Sequence, residues 1–152
     1  MPFDGSRAAQ QALQHAIATS RRSGLQIAVV NVQPPVMAGD VSAFASAGAV
    51  EESRRSLGMA ALRPAMLALQ AHQVAHTASV VLGDVASEIA RSAHRFGSTK
   101  IVMGTRAMNA LRSLFSRSVS RRVVKLTTVP VTLVKAGAET PQAALPAPAM
   151  PT

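Results

Sequence analysis

The stretch that decides the fold is IVMGTRAMNALRSLFSRSVSRRVVKLTTVPVTLVK, residues 101–135. Its first three residues form a short apolar run that stops at Gly104, as a buried parallel strand does. Ser116, Ser118 and Ser120 follow, and each is a residue type that caps helices. The predicted order is strand 100–103, loop 104–115, helix 116–127 and strand 129–134. Because a helix N-terminus presents unpaired N–H groups and a positive dipole end, this strand–glycine loop–helix unit is suited to bind an anion such as a phosphate.

The rest of the chain alternates between helical and strand patterns. Strands that alternate with helices predict right-handed crossovers and a parallel sheet covered on both faces. The fold class is therefore α/β, a doubly wound open parallel sheet of five strands. Pro64 predicts an interruption or bend in its helix, and residues 36–50 are predicted to be a mobile loop. The remaining predicted elements are helix Ser6–Arg22 capped by Ser6 and ended by Gly24, strand Leu25–Val32, helix Glu51–His72, strand Thr77–Leu82, and a helix after Gly83-Asp84 with the inward stripe Val85, Ile89, Ala93 and Phe96.

The two ends of the chain depart from this pattern. Only Met1, Pro2 and Phe3 precede Asp4, although a strand usually has about five or six residues. Either the protein starts upstream of Met1 or its central strand is unusually short. Residues 136–152 are rich in alanine and proline and bury too little apolar surface to fold, so they are predicted to be a disordered tail after a domain at 1–135.

Composition excludes several classes of function. The 152 residues contain no cysteine, which removes disulfides, thiolate catalysis and cysteine zinc sites. No apolar run approaches the ~20 residues of a membrane span, and no signal peptide is present, so a cytoplasmic protein is expected. His72 and His76 have helical metal-ligand spacing, but the helix is predicted to end between them, so no metal site is predicted. No nucleophile elbow or carboxylate pair supports an enzyme.

Positive charge is concentrated next to the predicted phosphate loop. The formal net charge is +9, and residues 106–125 contain no Asp or Glu. Such a patch attracts phosphates of any origin, which leaves a polyanion or nucleic-acid binder open as an alternative. Nucleic acid is disfavoured, because no aromatic stacking platform interleaves with the basic side chains. The basic residues of the patch are Arg106, Arg112, Arg117, Arg121, Arg122 and Lys125.

The sequence resembles the universal stress protein family. The matching features are the V-M-G strand end, the Ser-Val-Ser helix start and the final P-V-x-x-V strand. The resemblance continues through Pro2-Phe3-Asp4-Gly5-Ser6, Val29–Pro34 and Val80–Asp84, and so covers most of residues 1–135. It implies a stress-response module that binds an adenine nucleotide such as ATP instead of catalysing a reaction.

The resemblance also implies where the nucleotide binds. In nucleotide-binding relatives, the loop carries glycine, two residues, glycine, nine residues, then glycine and Ser or Thr. These positions are Gly104, Ala107, Arg117 and Ser118 here, so two of the glycines are replaced and weaker ATP binding is expected. Asp4 is implied to face the adenine or ribose, with turn formation as its alternative role. The complete implied site is Pro2, Asp4, Val32, Met103, Gly104, Ala107, Arg117, Ser118, Val119 and Ser120.

A homodimer is expected through the last strand. Pro130 cannot donate to a ladder and is typical of an edge strand, and an apolar edge of Val129, Val131 and Leu133 favours pairing with a second copy. The resemblance implies the same contact. A dimeric interaction module without a small ligand therefore remains the main alternative to a nucleotide-binding protein.

Overall fold

The computed structural model describes residues 1–37, 46–105 and 119–135, in which helices and strands alternate. Every strand boundary lies within two residues of its expected position, because short β-branched runs define the strands clearly. The elements are α1 (Arg7–Ser23), β1 (Ile27–Gln33), α2 (Ala47–Ala71), β2 (His76–Leu82), α3 (Val85–Arg95), β3 (Ile101–Thr105), α4 (Val119–Leu126) and β4 (Val131–Lys135).

The strands form two parallel pairs. β1 pairs with β2 from Ile27↔His76 to Gln33↔Leu82, and β3 pairs with β4 from Ile101↔Val131 to Thr105↔Lys135. The N-terminal segment Met1–Phe3 lies along the other edge of β1, joined by the single bridge Pro2↔Val30. The parallel α/β class is confirmed, and the expected fifth strand is reduced to this bridge.

Helices cover both faces of the strands. The first apolar cluster buries Leu13, Val29 and Val102 together with α1 and α2 residues. The second buries Ile101 and Met103 against α3 and α4. Successive strand residues point to opposite faces of a sheet. Val102 therefore lies in the first cluster, and its neighbours Ile101 and Met103 lie in the second. This division is the doubly wound arrangement.

The ends of α1 follow the expected capping pattern. The Ser6 hydroxyl accepts a hydrogen bond from the Ala9 N–H at 3.2 Å. Gly24 ends the helix with φ 70°, and its N–H donates to the Ser20 carbonyl at 2.8 Å. Both predicted caps are confirmed, which sets the direction in which the chain enters α1 from Asp4.

The sequence predicts an interruption or a bend of the second helix at Pro64. The helix is not interrupted, because α2 continues through Pro64 to Ala71. Leu62 and Leu69 on either side are completely buried. An interior proline costs about 3 kcal/mol, whereas burying each leucine contributes about 1.5–3 kcal/mol. Packing of the inner face therefore outweighs the lost hydrogen bond.

Two further sequence expectations are corrected. Residues 47–50, assigned to the mobile loop, form the first turn of α2 after the cap Ser46; residues 38–45 lie outside the described part of the chain. In α3 the expected stripe is buried only at Ile89 and Ala93, while Val85 and Phe96 are each 37% exposed. Val85 is the first residue of α3 and Phe96 is its C-cap, so both lie at the ends of the helix.

The N-terminal ammonium group lies in the protein interior. It donates to the Ala28 carbonyl at 2.6 Å, and burial lowers its pKa from 8.0 to about 6. Desolvation disfavours the charged amine, and one carbonyl oxygen does not replace its hydration shell.

This buried amine predicts that stability rises with pH between about 6 and 8. In that interval the unfolded amine is protonated and the folded amine is neutral, so the unfolded state binds more protons. The two-unit difference corresponds to a gain of about 3 kcal/mol across the interval. Urea unfolding at several pH values measures it. N-terminal acetylation, which removes the titrating amine, should abolish this part of the slope; an identical slope in the acetylated protein would contradict the assignment.

Candidate functional site

The candidate site lies where the N-terminal segment, β1 and β3 end. Parallel strands bring their carboxyl ends to one edge, which is where open α/β sheets bind ligands. The buried Asn31 side chain donates from Nδ2 to the Phe3 carbonyl oxygen at 2.9 Å. This hydrogen bond holds the residue before Asp4 against the end of β1.

Asp4 forms a turn into α1. Its Oδ1 accepts a hydrogen bond from the Ser6 N–H at 2.9 Å, and Gly5 between them has φ 79°. The turn-forming role that the sequence left open for Asp4 is therefore observed. The residue is also exposed, so its carboxylate is accessible to solvent beyond the end of the N-terminal segment.

Gly104 has a different role from the one expected. It is not one of the described glycines with positive φ, and it lies within β3 instead of beginning the loop. A Cβ at Gly104 would overlap the Ala8 carbonyl oxygen and would lie 2.8 Å from the Ala9 nitrogen. The missing side chain is thus required for α1 to pack on β3.

Val32 and Met103 lie on the same face, within or against the second apolar cluster. Met103 is buried, with 6% of its surface exposed, whereas Val32 is partly buried and packs on the cluster rim. Pro2 lies beside Val30 through its bridge. Of the predicted site residues, Asp4 and Val32 therefore lie near the carboxyl ends of the N-terminal segment and β1, whereas Met103 is a core residue of β3.

The start of α4 is attached to α3. Arg122 donates from Nη1 to Asp84 Oδ2 at 2.9 Å and from Nη2 to Oδ1 at 2.8 Å. These bonds, followed by those from Ser87, lower the pKa of Asp84 to about 2. Asp84 also caps α3 by accepting from the Ser87 N–H at 3.1 Å. The ion pair therefore links α4 to the N-terminal cap of α3.

Three of the predicted site residues lie outside the described part of the chain: Ala107, Arg117 and Ser118. Of the two described members that follow them, Val119 is 36% exposed and Ser120 is half-buried.

Sequence reasoning missed the amide pair at the end of β1. Gln33 donates from Nε2 to Asn31 Oδ1 at 2.7 Å, and its carbonyl accepts from the Gly83 N–H at 2.9 Å. The available signal was a polar residue at position 31, inside an otherwise β-branched run. A buried side-chain amide in such a run requires partners, and here the partners are the Phe3 carbonyl and the Gln33 side chain.

Two properties of the described residues bear on ligand class. In the ranges 1–37, 46–105 and 119–135, no three His, Asp or Glu side chains are grouped so that they could hold a metal ion. No helix within these ranges is long and apolar enough to cross a membrane.

The fold and the position of its polar edge define the chain as a doubly wound α/β protein with a candidate ligand site beyond its strand ends. The family model described as "Universal stress protein family" matches residues 1–135. The chain belongs to the universal stress protein family, which confirms the resemblance seen in the sequence. No curated protein shows significant similarity to it.

Solved structures show the same fold. A universal stress protein family member from Burkholderia pseudomallei is 24% identical, with a TM-score of 0.67 over 88% of this chain and 91% of its own. A universal stress protein in complex with cAMP is 17% identical, with a TM-score of 0.68 over 90% and 95% of the two chains. An Arabidopsis thaliana family protein with AMP bound is 22% identical, with a TM-score of 0.62 over 91% and 84%.

We predict that Gly104→Ala lowers the free energy of unfolding by at least about 2 kcal/mol, because the added methyl group would overlap the α1 backbone. Gly48→Ala is the matched control, since its added Cβ would meet only Ser46 Oγ at 3.9 Å in the exposed first turn of α2. The control should be neutral or slightly stabilising. Urea unfolding compares the two, and equal stabilities would show that α1 does not need a glycine at position 104.

Proposed function

We propose that this chain is a stress-response protein that binds an adenine nucleotide at its carboxyl edge and acts through that binding without turning over a substrate. The observation that carries the proposal is the Asp4 turn. It is anchored to β1 through Asn31 and to α1 through Ser6, which keeps an exposed carboxylate at the strand ends. A fixed carboxylate there is suited to accept hydrogen bonds from ribose hydroxyls or an adenine amino group.

The relatives support adenine as the ligand class. Two proteins of the same fold carry cAMP and AMP. In this chain Val32 offers an apolar surface beside the Asp4 turn, at the rim of the second cluster. Binding sites commonly combine such an apolar wall with a few fixed polar groups.

The phosphate side of the proposed site is altered. Gly104 contributes its missing side chain to α1 packing, and Ala107 and Arg117 replace the two glycines of the family loop. We therefore propose that adenosine recognition is retained and that triphosphate binding is weak. Guanidinium groups of the basic patch would compensate in part for a poorer backbone cradle.

Changing both Ala107 and Arg117 to Gly should raise ATP affinity at least about tenfold, since each Cβ in a glycine-type conformation costs about 1 kcal/mol or more and the loss of the Arg117 guanidinium offsets part of the gain. Adenosine affinity should not change, because adenosine has no phosphate. Calorimetric titration of both ligands into both proteins is the measurement. Tight ATP binding by the wild type, no gain in the double variant, or an equal gain for adenosine would each contradict the proposal.

A substitution at Asp4 tests the proposed nucleoside side of the site. Asn at position 4 keeps an oxygen that can accept from Ser6 N–H, so the turn is retained while the negative charge is lost. Under the proposal, Asp4→Asn weakens adenosine and ATP binding equally.

Mass spectrometry of small molecules released from purified wild-type protein distinguishes a nucleotide-binding protein from a ligand-free interaction module, which would release no adenine nucleotide.

A second proposed property is homodimerisation through β4. Within the described ranges β4 pairs with β3 along one edge, and Leu133 on it is 48% exposed. Val129 and Val131 instead pack against the second cluster, so Leu133 is the member of the expected apolar edge that is most available to a second copy. An exposed strand edge is a template for pairing with another chain.

Leu133→Lys should convert the dimer to a monomer, because two like charges would face each other across an isologous interface. Val131 is left unchanged, since a lysine there would disturb the core. Leu67→Lys on α2, at a residue 59% exposed, is the matched control and should remain dimeric. Light scattering decides the outcome: a monomeric wild type or a dimeric Leu133→Lys protein would remove β4 from the interface.

A further inference from the structure

Positive charge is concentrated at the amino edge of the strands, opposite the candidate nucleotide site. Because parallel strands all begin at this edge, the helices that connect them end there. The last turn of α1 contains Arg21 and Arg22, that of α3 contains Arg95, and that of α4 contains Lys125. Lys100 directly precedes β3. All five of these residues are exposed.

The acidic side chains do not offset this charge, because those of the described ranges lie towards the opposite edge. They belong to the turn before α1, to the first two turns of α2 and to the beginning of α3, and are Asp4, Glu51, Glu52, Asp84 and Glu88. Each helix C-terminus carries roughly half a negative charge, so four helix ends offset only about two of the five positive charges. The amino edge therefore remains positive.

Large apolar side chains are exposed at the same edge. Leu25, just before β1, is 55% exposed, and Leu126, the last residue of α4, is 52% exposed. Phe96 is the C-cap of α3, and the Arg95 guanidinium lies over its ring, 5.4 Å from the centroid. Leu25, Phe96 and Lys100 border the same opening in the surface. Apolar and cationic groups are thus interspersed on one surface.

We propose that the amino edge is a docking surface for an anionic lipid bilayer. The Arg and Lys side chains contact the negatively charged headgroups, while Leu25, Phe96 and Leu126 enter the boundary between headgroups and acyl chains. A basic surface alone would suit any polyanion, and exposed leucines alone would suit any apolar partner. The combination selects a bilayer, which presents a layer of negative charge directly above an apolar interior.

The apolar side chains also distinguish a bilayer from nucleic acid, which the same positive charge would attract. Binding of single strands relies on aromatic side chains on which bases stack, and Phe96 is the one aromatic residue exposed in the described ranges. Leu25 and Leu126 are aliphatic. Such side chains gain free energy when they leave water for an apolar medium, which a bilayer supplies and a phosphate backbone does not.

The orientation of the bound protein follows from the position of this surface. A chain docked by its amino edge lies on the bilayer without crossing it. The Asp4 turn at the other end of the molecule then faces away from the lipid. The proposed nucleotide site therefore stays accessible, and the two binding events do not compete for one surface.

Co-sedimentation with vesicles tests the electrostatic part of the proposal. The wild type should bind vesicles of mixed phosphatidylcholine and phosphatidylglycerol but not of phosphatidylcholine alone, and high salt should release it. Arg22→Gln combined with Lys100→Gln should bind at least about tenfold more weakly. The control combines Arg63→Gln on α2 with Lys135→Gln at the carboxyl end of β4, which removes the same charge elsewhere, and should change binding by no more than about twofold. No binding to the mixed vesicles, or an equal loss in both variants, would overturn the proposal.

A second pair of variants tests the apolar part. Leu25→Ser combined with Leu126→Ser should bind the mixed vesicles at least about fivefold more weakly at unchanged net charge. Leu57→Ser combined with Met59→Ser, at comparably exposed positions of α2, should bind as the wild type does. Tighter binding of a single-stranded oligonucleotide than of the mixed vesicles, with no loss in the variant at the amino edge, would assign this edge to nucleic acid and overturn the proposal.

Fluorescence locates the contact directly. The chain contains no tryptophan, so a single introduced one reports the polarity around it. The emission of Leu25→Trp should move to shorter wavelength when mixed vesicles are added, because the indole leaves water for the bilayer boundary. The emission of Leu57→Trp should not move. Equal shifts of the two variants, or no shift of Leu25→Trp, would contradict docking by the amino edge.

Discussion

The close approach of α1 to β3 at Gly104 is the contact on which the rest of the arrangement depends. The β1–β2 pair and the β3–β4 pair share no ladder within the described residues. α1 lies across them, with Leu13 and Ile17 in the same buried cluster as Val29 of β1 and Val102 of β3. A Cβ at Gly104 would overlap the Ala8 carbonyl, so the absence of a side chain permits this packing. Helix packing, and not backbone pairing alone, therefore joins the two halves.

The same contact explains the form of the candidate site. Because α1 begins directly over Gly104, the Asp4 turn that precedes it is held at the carboxyl edge of the strands. Asn31 fixes the other side of that turn. The edge thus keeps an exposed carboxylate in a fixed turn, while α1 backbone occupies the position that a Cβ at Gly104 would take.

The sequence was sufficient for the α/β class, the order of elements and the caps at Ser6 and Gly24, because each depends on local chemistry. It was misleading where long-range packing competes with a local rule. Pro64 stays within α2 because the leucines around it are buried, and Gly104 serves helix packing although a glycine after a strand suggests a turn. The Asp84–Arg122 ion pair joins residues 38 positions apart, so no local pattern could reveal it. Asn31 was visible as a polar residue in an apolar strand, but its partner at Phe3 was not.

Backbone hydrogen exchange at two adjacent residues of β3 tests this account most directly. The Ile101 N–H is bonded to the Pro130 carbonyl at 2.8 Å. Strand alternation directs the Val102 N–H away from β4, to the side on which β3 has no ladder partner among the described residues, although Val102 is only 8% exposed. If packing joins the strand pairs, Ile101 should be strongly protected and Val102 should exchange at least about tenfold faster. Equal protection of the two amides would show a continuous ladder across the sheet and would contradict the account.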